Sequence, residues 1–67
     1  MDDFRTDYIL LQQLLKKEDI VSTGGEAKMI IQEGLVSVNG VVETRRGRKL
    51  YSGDVVLANG KKIVVKW

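Results

Sequence analysis

Ser22-Thr-Gly-Gly-Glu-Ala-Lys-Met-Ile-Ile-Gln-Glu-Gly-Leu-Val-Ser-Val-Asn-Gly40 carries, in one unbroken stretch, a helix start, a helix stop, a strand and a turn. Thr23 followed by Glu26 is a capping box, in which the Thr23 hydroxyl accepts from the Glu26 amide and the Glu26 side chain reaches back to the Thr23 amide. Ala27, Ile30 and Ile31 recur at helical spacing on one face while Lys28 and Gln32 sit together elsewhere, so a helix is predicted over about Gly24 to Glu33. Gly34 is placed to take the left-handed conformation that ends it. Leu35, Val36 and Val38 then supply extended, partly β-branched chain, and Asn39-Gly40 is a turn dipeptide whose positions both tolerate positive φ. The helix is handed straight to a hairpin.

Upstream, Leu10, Leu11, Leu14 and Leu15 follow helical spacing, with Gln12, Gln13, Lys16 and Lys17 completing the turns, which predicts an amphipathic helix from about Leu10 to Glu18. Lys16 and Lys17 fall in its last turn, where they complement the negative end of the helix dipole, and RNA contact is the competing role. Glu18-Asp-Ile-Val21 joins the two helices in a compact corner. Before it, residues 1 to 9 read either as a short first strand around Tyr8-Ile9 or as an unordered terminus. Two glycines open the second helix, where each costs roughly 1 kcal/mol relative to Ala. Either their bare amides receive a phosphate oxygen or the corner needs small residues.

Downstream, Val41-Val42 return from the turn and the chain enters Glu43-Thr-Arg-Arg-Gly-Arg-Lys49, four of whose seven residues are basic. Arg supplies a planar fork suited to phosphate and to stacking on bases, and that many cations in one short loop exceed what solubility requires. Leu50 and Tyr51 return to the core or its margin, and Ser52-Gly-Asp54 is a turn. Val55-Val-Leu-Ala58, Asn59-Gly60 and Lys61-Lys-Ile-Val-Val65 spell a second hairpin, whose consecutive apolar residues predict that both of its faces are at least partly covered.

Sixty-seven residues make one domain, and a chain of this size buries only about 60% of its unfolded surface. With 43% hydrophobic residues and four aromatics, the core is expected to be Leu, Ile and Val, worth about 3 to 5 kcal/mol of net stability. The absence of Cys and His removes disulfides, thiol nucleophiles, imidazole bases and the usual zinc ligands, so neither a metal nor another cofactor is expected. No apolar run approaches the roughly 18 residues of a membrane span, and the acidic Met-Asp-Asp start does not resemble a targeting peptide, so the expected location is cytoplasmic. The net charge of +2 is unevenly spread. Residues 1 to 34 hold four basic against seven acidic side chains, and residues 35 to 67 hold seven basic against two acidic. The second part is the electrostatic footprint of a phosphate-binding surface, or else a solvated face.

The ordered set Thr23-Gly-Gly-Glu26-Ala27-Lys28, Gly34, Val36-Ser-Val38-Asn39-Gly40, then Glu43 to Lys49 and Gly53-Asp-Val-Val56, resembles the S4-like RNA-binding domain, and most of all its small stand-alone bacterial members of the YaaA/YbcJ type. The resemblance covers residues 8 to 66. It implies an α+β fold, a two-helix motif (the αL RNA-binding motif) packed on a small antiparallel sheet of two hairpins, which element order also suggests. It further implies a surface for structured RNA at Thr23, Lys28, Arg45, Arg46, Arg48 and Lys49, with Lys16 and Lys17 in support. Where many members carry Arg-x-Asp-Lys at the start of helix one, this chain has Leu10, Gln12 and Gln13, and Gly24 replaces an Arg, which moves recognition toward the 45–49 loop.

The function expected on these grounds is non-catalytic: a monomer, independent of membranes, that binds structured ribosomal or transfer RNA, on or off the ribosome, by phosphate and shape contacts. The alternative is a protein-interaction adaptor whose Arg-rich loop docks an acidic partner. Catalysis would need carboxylates or Lys as the sole acid-base groups, and no spaced constellation of them stands out.

Overall fold

A computed structural model describes residues 8–66. The chain begins with a two-residue strand, β1 (Ile9–Leu10), and turns directly into helix α1 (Leu11–Lys17), whose Leu11, Leu14 and Leu15 are buried. The remainder of the expected first strand, toward Phe4, lies outside the described residues. Helix α1 starts without a hydroxyl cap; the Gln13 side-chain oxygen instead accepts from the Leu10 amide at 3.1 Å. It ends on a residue the sequence reading passed over. Asp19 has φ 63°, and the Asp19 and Ile20 amides donate to the Lys16 and Leu15 carbonyls, the closing pair of bonds that a left-handed residue makes possible.

An aspartate in that position is tolerated but strained, and it sets a negative charge on the negative end of the helix. Asp19→Gly is therefore expected to stabilise the protein by about 0.5–1 kcal/mol, which a rise of a few degrees in the thermal midpoint would register. A fall would show that the Asp19 side chain holds the corner in another way.

Helix α2 (Gly24–Gln32) begins as read: the Thr23 hydroxyl accepts from the Glu26 amide at 3.2 Å. The reciprocal bond differs from expectation. Glu26 Oε1 accepts from the Ser22 amide at 2.7 Å rather than from that of Thr23. Thr23 is extended, so neighbouring amides point to opposite sides, and it is the Ser22 N–H that faces the carboxylate. Thr23→Ala is expected to cost about 1 kcal/mol, read as a lower thermal midpoint. An unchanged midpoint would mean that Glu26 alone fixes the helix start.

Gly34 takes φ 79°, and the Gly34 and Leu35 amides donate to the Ile31 and Ile30 carbonyls, which closes α2 and releases the chain into β2 (Val36–Val38). Asn39-Gly40 and Asn59-Gly60 both carry positive φ at each position, as two-residue hairpin turns require. They join β2 to β3 (Val41–Val42) and β5 (Val55–Ala58) to β6 (Lys61–Val64). The two hairpins form one antiparallel sheet in the order β3-β2-β5-β6, with Val36 opposite Ala58 and Val38 opposite Val56. Asn39 does more than turn the chain, since its main-chain N–H donates to the Val55 carbonyl and its side-chain oxygen accepts from the Val55 amide. A second, two-stranded sheet pairs β1 with β4 (Lys49–Leu50), placing Ile9 opposite Leu50.

Helices α1 and α2 cover one side of the larger sheet. Their Leu11, Leu14, Leu15, Ala27 and Ile31 join Val36, Val38, Val56, Ala58, Leu50 and Val65 in a single core cluster. Among the described residues no helix or strand lies over the other side, where the second hairpin is only partly covered. Leu57 and Val64 are 47% and 49% exposed, and Val42 is 58% exposed. Both helices lie on one face, so the outward β-branched residues serve strand conformation rather than burial.

Candidate nucleic-acid interface

The basic loop is built around its one acid. Glu43 follows β3 and is only 6% exposed, so its carboxylate must be paired or neutral. It is paired on both oxygens. Arg45 Nε and the Arg45 main-chain amide each donate to Oε2 at 2.9 Å, Arg45 Nη2 donates to Oε1 at 3.1 Å, and Arg48 Nη1 donates to Oε1 at 2.9 Å. These bonds, from Arg45 first and Arg48 second, hold the carboxyl down at about 2, against burial, which acts the other way. The same contact holds the Arg45 guanidinium more firmly charged. The Arg45 side chain nevertheless remains 74% exposed, while that of Arg48 is 30% exposed. The fork grips Glu43 with one edge and leaves other N–H groups facing solvent.

The loop is also tied to helix α1. The first free amides of the helix, Leu11 and Gln12, donate to the Arg48 and Arg46 carbonyls at 2.9 and 3.1 Å. A helix start normally leaves such amides for water or an anion; here the loop consumes them. The Arg48 amide bonds back to the Arg45 carbonyl at 3.3 Å, and β4 continues straight from the loop into its pairing with β1. The Arg-rich segment is thus fixed at both its carboxylate and its main chain.

Arg46 is exposed and makes no ion pair among the described residues. Lys49 Nζ lies 4.9 Å from the centroid of the Tyr8 ring, and Tyr8 stands 6.1 Å from Tyr51, their planes tilted by 58°. This aromatic pair beside the cations was not singled out from sequence. Tyr8 and Tyr51 are far apart in the chain, and only the β1–β4 register brings them together. An exposed ring next to Lys49 is the kind of platform on which an unpaired base stacks.

The remaining sequence-predicted residues are distributed. Thr23 is exposed at the start of α2, its oxygen accepting from Glu26, and Lys28 is exposed on the same helix. Neither makes a hydrogen bond or ion pair with the loop among the described residues. Lys16 and Lys17 stand at the far end of α1, about 6 to 9 Å along the axis from the amides that hold the loop. Lys17 lines a groove with Lys62 and Lys66 rather than with the arginines. A Cβ added at Gly24 would meet nothing within 4 Å, and one at Gly25 would meet the Thr23 hydroxyl at 3.8 Å. Among the described residues no group of carboxylates is arranged to hold a metal ion, and no helix is long and apolar enough to cross a membrane.

Comparison with known proteins gives the same frame. A relative named "Probable ribosome maturation protein RlbA", of Bacillus subtilis (strain 168), is 49% identical over 55 residues, spanning 82% of this chain and 78% of that protein. Another, named "Putative RNA-binding protein YbcJ", of Escherichia coli (strain K12), is 40% identical over 58 residues, spanning 87% of this chain and 83% of that protein. The family model described as the S4 domain matches residues 3–66. With two helices on one face of a small antiparallel sheet and a sequence match across nearly its whole length, the chain belongs to the S4 domain family.

Proposed function

We propose that the protein is a non-catalytic RNA-binding protein of the cytoplasm that recognises structured RNA, either ribosomal or transfer RNA, through phosphate and shape contacts. The observation that carries this reading is the 43–49 loop: a cationic segment clamped on a buried carboxylate and on the start of α1, so that Arg45, Arg46 and Lys49 stand exposed on a fixed frame. Ordering the loop before binding lowers the entropy lost when RNA arrives. The names of the relatives point the same way, one to RNA binding and one to ribosome maturation. The absence of Cys and His from the chain fits a role without catalysis.

In this reading Thr23, Lys28 and the loop touch one RNA, with Lys16 and Lys17 at its margin. Phosphate contacts supply affinity, and the shape of the folded RNA supplies selectivity. Crosslinking in cells followed by sequencing of the bound RNA tests it, with ribosomal or transfer RNA expected among the products. In parallel, Lys28→Glu is expected to weaken binding to a purified RNA hairpin at unchanged thermal midpoint, since Lys28 lies off the buried Ala27, Ile31 face. No measurable affinity of the unmodified protein for structured RNA at low salt would refute the reading and favour an acidic protein partner for the loop.

A further inference from the structure

A groove between the end of α1 and strand β6 lies apart from the arginine loop. It is lined by Leu14, Lys17 and Glu18 on the helix side and by residues 62 to 66 on the strand side, so three lysines and a single glutamate border it. Strand β6 is the last in its sheet, with no strand on its outer side among the described residues.

The outward main-chain groups follow from the hairpin. In a two-residue turn the flanking residues, Ala58 and Lys61, form a hydrogen-bonded pair, and pairs alternate from there. Ile63 therefore bonds to β5, and Val65 bonds to the residue before β5, its amide donating to the Asp54 carbonyl at 2.8 Å. The intervening Lys62 and Val64 turn their N–H and C=O groups away from the sheet.

We infer that this groove receives an extended acidic segment of a partner protein, which adds to β6 as a further strand while its carboxylates meet Lys17, Lys62 and Lys66. Alternating donors and acceptors at strand spacing match another polypeptide. An RNA backbone has phosphate acceptors and 2′-hydroxyl donors, but does not present them as a coplanar, alternating row at strand spacing. Among the described residues the groove also holds no arginine fork and no aromatic ring, and Ile63 and Val64 offer apolar contact to a peptide side chain. A second copy of this chain is disfavoured, because Lys62 and Lys66 would confront their own like charges. Lysines on an edge strand also guard against aggregation, but Lys17 belongs to the helix and that role gives it no reason to face the strand.

The test uses a fluorescein-labelled acetyl-Glu-Val-Glu-Val-Glu-Val-amide peptide and the full-length protein, with binding followed by anisotropy and by amide shifts and hydrogen exchange in NMR spectra. Binding is expected to shift and protect the Lys62 and Val64 amides and to leave those of Arg45 to Lys49 unmoved. Replacing Lys17, Lys62 and Lys66 by Gln is expected to weaken it by at least about tenfold. Val64→Pro removes an outward donor without touching the β5 ladder, so it is expected to abolish protection of the site while the fold persists. If that variant fails to fold, the same peptide N-methylated at alternate residues takes its place, and its loss of binding is the expected result. Equal binding by the methylated peptide would show charge attraction without strand addition and overturn the inference. Shifts confined to the arginine loop would overturn it, as would an RNA hairpin that displaces the peptide and moves the same β6 amides, or a concentration-dependent dimer held through β6.

Discussion

Replacing Arg46 and Lys49 together by Gln is expected to lower the affinity for a structured RNA hairpin by roughly thirtyfold at about 0.1 M salt, and to remove about 1.5 units from the slope of log affinity against log salt. The thermal midpoint is expected to stay unchanged. Neither side chain pairs with Glu43, and Lys49 holds only an exposed contact with the Tyr8 ring, so stability has little to lose. Arg45→Gln with Arg48→Gln behaves differently. Those changes remove cations from the surface and also strip the buried carboxylate of its donors, so affinity and stability fall together. Read from sequence, the four cations are equivalent; in the structure Arg45 and Arg48 pair with Glu43 and hold the loop, and Arg46 and Lys49 do not pair with it. As a control, the same charge removed at Lys61 and Lys62 leaves most of the slope intact. Equal loss from both pairs would assign binding to net charge rather than to the loop.

Glu43→Gln gives the second large effect, a loss of about 1–2 kcal/mol at neutral pH. A full conversion of the lowered carboxyl pKa would give more, but Arg45 is largely solvated and screening discounts it. The pH dependence identifies the cause. The carboxyl titrates at about 2 in the folded protein against 4.5 ordinarily, so its contribution is complete above 4.5 and fades as pH falls toward 2. The stability difference between the wild type and Glu43→Gln should therefore shrink across that window. A difference that stays constant would mean that Glu43 acts through packing and neutral hydrogen bonds instead of charge.

Much of this fold is legible because it is local. Thr23 with Glu26, Gly34, and the two Asn-Gly pairs each declare their conformation within a few residues, and both hairpins and α2 follow from them. Asp19 escaped notice because an aspartate in a left-handed position is unusual, and only its place after the last turn of α1 betrays it. The β1–β4 pairing involves four residues from opposite ends of the chain and leaves no periodic trace. Glu43 had a readable signal: a single acid heading a run of cations is well placed to be their anchor. That it is buried is a tertiary fact, as is the drift of Lys17 away from the arginines and toward Lys62 and Lys66. The candidate site was legible as composition and illegible as geometry.

The stitching of Leu11 and Gln12 to the carbonyls of Arg48 and Arg46 bears on when the site exists. Nearly all of the helical half and the first hairpin lie between these partners, so the stitch closes a long loop, and such non-local contacts form late. A nascent chain can make both helices and still present no ordered arginine loop until the residues through Leu50 have been synthesised and have come back to β1. Partial unfolding works in the same order, since any opening that separates β1 from β4 releases the loop as well. Recognition is thereby coupled to completion of the fold: titrated with urea, RNA affinity and native structure should disappear at one midpoint, and a truncated or unfinished chain would not compete with the finished protein for its RNA.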